Sequence, residues 1–293
     1  MTIERSLLSS CSWIDTHLTE FEIRAGISFE GVVTSLKAVA ELAHAADFLL
    51  RSSQSTSVEF GKRWMDFAWD QMRQGELIRK LLLKDHRLFP IAATYLPFHL
   101  VGLQNDELGE TIAERLPLAV MNDASWSLMI PALLAMKFQI GHELEEKAHS
   151  RSVLSNKTMA ASLSDDDFYI LMHECLYATA WGRHPIPHDP EGKGYLASIL
   201  PELVARSLDN ADLLAEAILV SHLVTPACVE PQAWEALKYA QAETGNVVSP
   251  DPVATEFPRI KHPALGRTYH TTIAAILAWS ACLSRCLSRR IPA

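Results

Sequence analysis

The chain has 293 residues, 21% of them charged, with a formal net charge of −9 and five cysteines. That length allows one large domain or two small ones. The acidic balance argues against a nucleic-acid backbone as the main partner; the acids are scattered and read as a solvated surface rather than an interaction tail.

Cys11, Cys175, Cys228, Cys282 and Cys286 are odd in number and lie mostly in apolar contexts, which fits small buried thiols in a reducing compartment better than a disulfide frame. The N-terminus lacks the basic start and apolar run of a signal peptide. The longest apolar run near the C-terminus, 272–283, is too short to span a bilayer. The expected location is the cytoplasm, with no membrane partner. A homo-oligomer is left open.

Taken in order, nearly every periodic stretch reads as helix. Residues 32–50 place Leu36, Val39, Ala40, Ala43 and Phe48 near one face. A long helical stretch covers 57–83, with Phe60, Trp64, Phe67, Ala68, Met72 and Ile78 as its buried side. Two prolines break 89–103 into a turn and a helix, and 107–114 is a short helix stopped by Pro117. Residues 122–138 form a buried helix, with Pro131 kinking it or marking its first turn. From 141 to 163 the chain turns polar, which divides it into 1–150 and 151–293 unless the two form one continuous domain.

The second half continues with a helix over 165–182 and a connection, 183–194, dense in turn residues. Helices follow over 195–208, 211–224 and 232–243. A loop over 245–267 carries Pro250, Pro252, Pro258 and Pro263, and a last helix covers 268–287. No alternating strand of useful length appears. The class is all-α, with helix pairs stacked into an α/α toroid or a short solenoid.

The 165–182 helix is the best candidate for the wall of a site. Ser164 caps it, and Asp165, Asp166 and Asp167 fill the first turn at the positive end of its dipole. Its body is apolar, so His173 and Glu174 sit where polar groups need partners. Two readings stand side by side: a hydrogen-bonded core histidine with Glu174 reaching solvent, or a ligand or general base in a pocket.

Two later stretches repeat the theme, and His173, His222 and His270 fall 49 and 48 residues apart in apolar helical contexts. Such spacing fits a two-helix repeat, although twelve histidines give near-equal spacings by chance. Converging, the three would hold a divalent metal such as Zn or Fe, with Glu174 as a carboxylate ligand or base. The same residues also fit metal-free acid–base chemistry or a purely structural role. HExxH is absent: His142 and Glu143 are followed by Leu144, Glu145 and Glu146.

Arg183, His184 and His188 on the 183–194 loop would suit an anionic group on a substrate, or would simply lie on a stiff surface loop. Tyr177 and Trp181 would form an aromatic wall, and Tyr269 would hydrogen-bond a ligand near His270 or help cap its helix. A Cys228–His222 nucleophile pair lacks a third, orienting group. With no GxxxxGK[ST], GxGxxG or GxSxG, no nucleotide cofactor is expected.

The stretches LMHECLYATAWGR and TYHTTIAAILAW resemble a poorly characterised family of all-helical actinobacterial proteins found beside natural-product biosynthetic genes. The matching positions are His173, Tyr177, Thr179 and Gly182, then Tyr269 to Thr272. The resemblance implies a role in secondary metabolism without naming a reaction. Stacked helix pairs around a histidine-lined interior are similar to toroidal peptide cyclases, whose zinc chemistry is not carried over because their paired cysteine ligands are missing. The leading expectation is a tailoring enzyme for a small-molecule or peptide substrate. In it His173, Glu174, Tyr269 and His270 are catalytic, and Tyr177, Trp181, Arg183, His184 and His188 bind substrate. The competing expectation is a helical scaffold that binds a peptide or partner protein without catalysis.

Overall fold

The computed structural model describes residues 2–24, 26, 28–120, 157, 159–184, 190–224, 229–248 and 263–288. It is all-α: among these residues the only β pairing is an isolated bridge between Gln241 and Val247. The helices are α1 (Ile3–Thr16), α2 (Phe29–Leu50), α3 (Ser55–Gln71), α4 (Glu76–Lys84), α5 (Leu96–Leu100), α6 (Asp106–Val120), α7 (Asp165–Ala178), α8 (Pro190–Arg206), α9 (Ala211–Val224), α10 (Pro231–Tyr239) and α11 (Pro263–Ser288). No helix among the described residues is long and apolar enough to cross a membrane.

Local chemistry explains most boundaries. Ser28 accepts from the Gly31 N–H and starts α2 three residues before the apolar pattern does. The expected 57–83 helix is two helices, because Arg73, Gln74 and Gly75 take positive φ (51°, 52° and 88°) and reverse the chain between α3 and α4. Residues 86–95 wind as a 3-10 segment around Pro90 before α5. Helix α6 runs on through Pro117 to Val120, since a proline removes one backbone bond without having to end the helix. Pro190 opens α8 inside what the sequence suggests is loop, and Pro263 likewise starts α11 five residues early. The expected 122–138 helix and most of the polar stretch after it lie outside the described residues.

Helix α9, ADLLAEAILVSHLV, is buried at Ala211 and from Leu213 through Ser221. A helix apolar on every side has to be central, and α9 packs against α7, α8, α10 and α11. Helix α11 is buried almost throughout from Thr268 to Ala281 and also packs on α1 and α2. One apolar core runs from Leu7 to Ala281, through both halves of the chain. The α2–α3 contact is close enough to require glycine: a Cβ on Gly61 would lie 2.9 Å from the Ala46 carbonyl oxygen and the Leu50 nitrogen. Helices α2, α7, α9 and α11 line a common space together with Ala93 and Thr94 of the 3-10 segment.

Candidate functional site

That space is a cavity of about 250 Å3. Leu176, Leu219, Ile273, Ala274 and Leu277 form an apolar side, and Tyr169, Tyr177 and Trp181 add aromatic faces. Its polar side is built by Lys37, Glu41 and His44 from α2, His173 from α7, Glu216 from α9 and His270 from α11.

Each polar side chain is placed by helical spacing. Lys37, Glu41 and His44 lie four and three residues apart on an otherwise apolar helix, so they share a face. Asp212 and Glu216 are four apart on α9 and point the same way. A capping box anchors α7: Ser164 accepts from the Asp167 N–H, while the Asp167 carboxylate accepts from the Ser164 N–H. One turn further on, the His173 Nδ1 lies 3.0 Å from the Tyr169 carbonyl oxygen. A carbonyl only accepts, so Nδ1 carries the hydrogen and Nε2 is the basic nitrogen.

The ring of His270 is clamped between carboxylates. Its Nδ1 is 3.1 Å from Glu41 Oε2, and its Nε2 is 3.6 Å from Asp212 Oδ2 and 3.8 Å from Glu216 Oε1. Lys37 Nζ is 3.7 Å from the other Glu41 oxygen. Across the cluster, His173 Nδ1 is 3.8 Å from Glu216 Oε2. That Oε2 has no hydrogen-bond partner in the protein, and the Glu216 side chain is only 6% exposed. Four more atoms of lining residues, Glu41 Oε2, His44 Nδ1, Trp181 Nε1 and His270 Nδ1, also have no hydrogen-bond partner.

These surroundings drive the protonation states apart. Burial alone pushes the Glu41 carboxyl up, but the nearby charges of His270 and Lys37 overcome it and hold Glu41 down at about 2. Burial opposes a charged His270, yet Glu41, Asp212 and Glu216 together lift it to about 10. Glu216 goes the other way: burial, reinforced by Asp212, raises it to about 8. Burial lowers His173 to about 4, with the Tyr169 carbonyl opposing, and lowers His44 to about 3. Burial also raises Tyr177 to about 12 and, with Glu216 and Glu41 nearby, pushes Tyr169 up. Near neutral pH the cluster therefore holds an imidazolium (His270), a carboxylate (Glu41), a protonated carboxyl (Glu216) and two neutral imidazoles.

The aromatic wall hangs on a strained turn. Ala180, Trp181 and Gly182 follow one another at positive φ (45°, 54° and 79°), a conformation costly for the two non-glycine residues. Thr179 Oγ1 accepts from the Gly182 N–H, and the Arg51 guanidinium donates to the Trp181 carbonyl at 3.1 Å. Arg183 donates to Asp47, which Arg51 also engages at 3.0 Å. The turn so held stacks the Trp181 indole on His44, with ring centroids 3.7 Å apart.

A family model described as a domain of unknown function, DUF6895, matches residues 7–280. The chain belongs to that family. No curated protein and no solved structure matches it.

Of the site residues suggested by the sequence, this DUF6895 chain brings His173, His270, Tyr177 and Trp181 to one cavity. Tyr269 sits beside them with its hydroxyl against Glu41, and burial raises its pKa. Glu174 is buried rather than solvated, but it is not on the cavity lining; it lies near Tyr195 and Cys175. The ring of His222 lies against Trp234 of α10, 5.5 Å between centroids, and is also off the lining. The structure therefore does not assemble His173, His222 and His270 at one point. Among the described residues, no group of three or more His, Cys, Asp or Glu is arranged to hold a metal ion. Arg183 is committed to Asp47, His184 is exposed, and His188 and Cys228 lie outside the described residues. Lys37, Glu41, His44, Tyr169, Asp212 and Glu216 were not singled out from the sequence. The available signal was an ionisable residue repeated at one face of an otherwise apolar helix, on α2 and again on α9.

Proposed function

We propose that the chain is an enzyme performing acid–base chemistry on a small organic molecule, in the manner of the enzymes that tailor natural products. The observation that carries this reading is the pairing of Glu216 with His173 across the cavity, a buried carboxyl and a buried imidazole 3.8 Å apart. Their environments push their proton affinities in opposite directions, which is how a protein divides acid and base roles between two groups. Glu216 is the proton donor and His173 Nε2 the acceptor. His270, held as an imidazolium by Glu41 and Asp212, stabilises negative charge that develops on the substrate. The apolar side and the aromatic wall hold the substrate's body and keep water away from the transfer.

The size of the cavity favours a small molecule over a peptide strand or a folded partner. At about 250 Å3 it lies just below the range usual for small-molecule pockets, roughly 300–1,000 Å3. The test is untargeted mass spectrometry of a metabolite extract incubated with the purified protein. The wild-type protein should consume one compound and form one product, and His173→Ala and Glu216→Gln should each slow this by about 10²-fold or more. Retention of a compound without conversion, equal in all three proteins, would move the chain to the class of binding proteins.

A further inference from the structure

Three carboxyl groups around the cavity, those of Glu41, Asp212 and Glu216, share two cationic partners, Lys37 and His270. Lys37 faces Glu41, and His270 lies between Glu41 and Asp212. Glu216, on α9, shares His270 with Asp212, its Oε1 3.8 Å from Nε2 of the ring, and its Oε2 has no hydrogen-bond partner although the side chain is more than nine-tenths buried. A carboxyl so placed keeps its proton and needs an acceptor. The groups facing it are Asp212 from its own helix, His270 from α11, Glu41 and Lys37 from α2, and His173 and Tyr169 from α7. None of them accepts a hydrogen bond from Oε2.

The base stands beside this donor. With Nδ1 engaged by the Tyr169 carbonyl, Nε2 of His173 is the nitrogen free to take a proton. The ring that carries it has its Nδ1 3.8 Å from Glu216 Oε2, so donor and base border one small space and serve neighbouring atoms of the same ligand. A carbonyl oxygen and the hydrogen on the neighbouring carbon have that relation. The remaining lining is apolar or aromatic apart from Thr94 and supplies no further charge to match a charged ligand.

We infer that the cavity takes a compact, electrically neutral carbonyl compound and transfers a proton at the carbon next to its C=O. This rests on reading the cavity as a substrate site. In the step, Nε2 of His173 takes the proton from the α-carbon. The C–H electron pair becomes the C=C bond, and the former C=O π pair takes the Glu216 proton, giving an enol. Return of a proton from His173 to carbon, at the same or a conjugated position, restores the carbonyl and gives Glu216 back its proton. No oxidant or co-reactant is required.

The test uses matched probes on the full chain. Cyclohexanone, menthone and benzylacetone are compared with cyclohexylamine, cyclohexanecarboxylate and methylcyclohexane, following thermal shift and Trp181 fluorescence, and with mass spectrometry of ketone deuteration in D2O. At least one ketone should bind about tenfold or more tighter than the charged and oxygen-free analogues. Its α-hydrogens should exchange about 10²-fold or more faster than in buffer. His173→Ala should keep binding and lose exchange. Glu216→Leu should lose about tenfold in ketone affinity, and Glu216→Gln, which keeps a donor, should regain it without regaining exchange. Tighter binding of the amine or the carboxylate, or ketone binding with exchange no faster than in His173→Ala, overturns the inference. If the extract experiment still shows a converted compound, the acid–base reading survives that result; if it does not, both fall.

Discussion

Two buried ionic groups sit on successive turns of α2, and they are built on different principles. Asp47, 1% exposed, faces two guanidiniums, Arg51 and Arg183, and so has more cation than it needs. Glu41, six residues earlier, belongs to a cluster in which three carboxyl groups, those of Glu41, Asp212 and Glu216, share Lys37 and His270. The first group is off the lining of the cavity and ties α2 to the turn after α7. The second opens onto a cavity. Both groups keep buried atoms without a hydrogen bond, Asp47 Oδ2 and Arg183 Nε in the first and Glu216 Oε2 in the second; what separates them is that only the second has acids on the cavity lining, where a ligand can meet them.

The sharpest way to separate the two is to delete one residue from each. His173→Ala should lower turnover by about 10²–10⁴-fold while changing the unfolding free energy by no more than about 1 kcal/mol, because the ring already borders a cavity. Stability that falls as far as activity does would put His173 in the same class as Asp47. Asp47→Ala should do the reverse in urea unfolding. It leaves two facing guanidiniums unpaired and should cost about 3 kcal/mol, at the lower end for a broken buried pair because both arginines keep some contact with water. A midpoint that does not move would show that the arginines hold the turn without it.

The fold class and two histidines of the site were legible in the sequence; the contrast itself was not, for a physical reason. Helical periodicity carried the all-α class and the bounds of α9. The capped, apolar α7 with His173 in its body, and His270 in the apolar last helix, were both recognisable as interior. What spacing along the chain does not encode is which face of each helix meets which. His222 shares the 48- to 49-residue interval with the other two histidines, yet its ring lies against Trp234 on the far side of α9's environment from the cavity lining. Glu174 follows His173 directly, and one residue is about 100° of helix, enough to take it off the lining. Glu41 and Glu216 come from parts of the chain 175 residues apart; only the packing of α2 with α11, and of α11 with α9, brings them together.

A smaller effect probes the connection between the two clusters. Gly182 has φ +79°, and a Cβ there would lie 2.5 Å from the Leu223 Cδ2. Gly182→Ala should cost about 1–2 kcal/mol and disturb the stack of Trp181 on His44, read as a change in tryptophan fluorescence. An unchanged spectrum together with unchanged stability would show that the turn adapts without moving the wall.

The smallest effect is a change in the shape of the pH–stability curve. His173 and His44 stay neutral in the fold down to about 4 and about 3, whereas unfolded they take protons below 6.5, so their contributions are lost as pH falls below 6.5. Glu41 contributes stability above 4.5 that is lost as pH falls through about 2. On the alkaline side the signs reverse. Glu216 holds its proton to about 8 in the fold against 4.5 unfolded, so its contribution declines as pH rises from 4.5 to about 8. That of His270 is full below 6.5 and is lost as pH rises through about 10. Stability should therefore peak near pH 6.5, and Glu216→Gln should make the decline just above the peak shallower. Identical curves for the variant and the wild-type protein would mean that Glu216 ionises normally in the fold.

The central claim is that Glu216 is a proton-bearing carboxyl facing a neutral His173. Its most direct test is a 13C NMR titration of glutamate-labelled protein, with the Glu216 carboxyl assigned by its absence in Glu216→Gln. The account predicts a carboxyl that titrates near pH 8, above the ordinary value of 4.5. A Glu216 signal already ionised at pH 6 would contradict it.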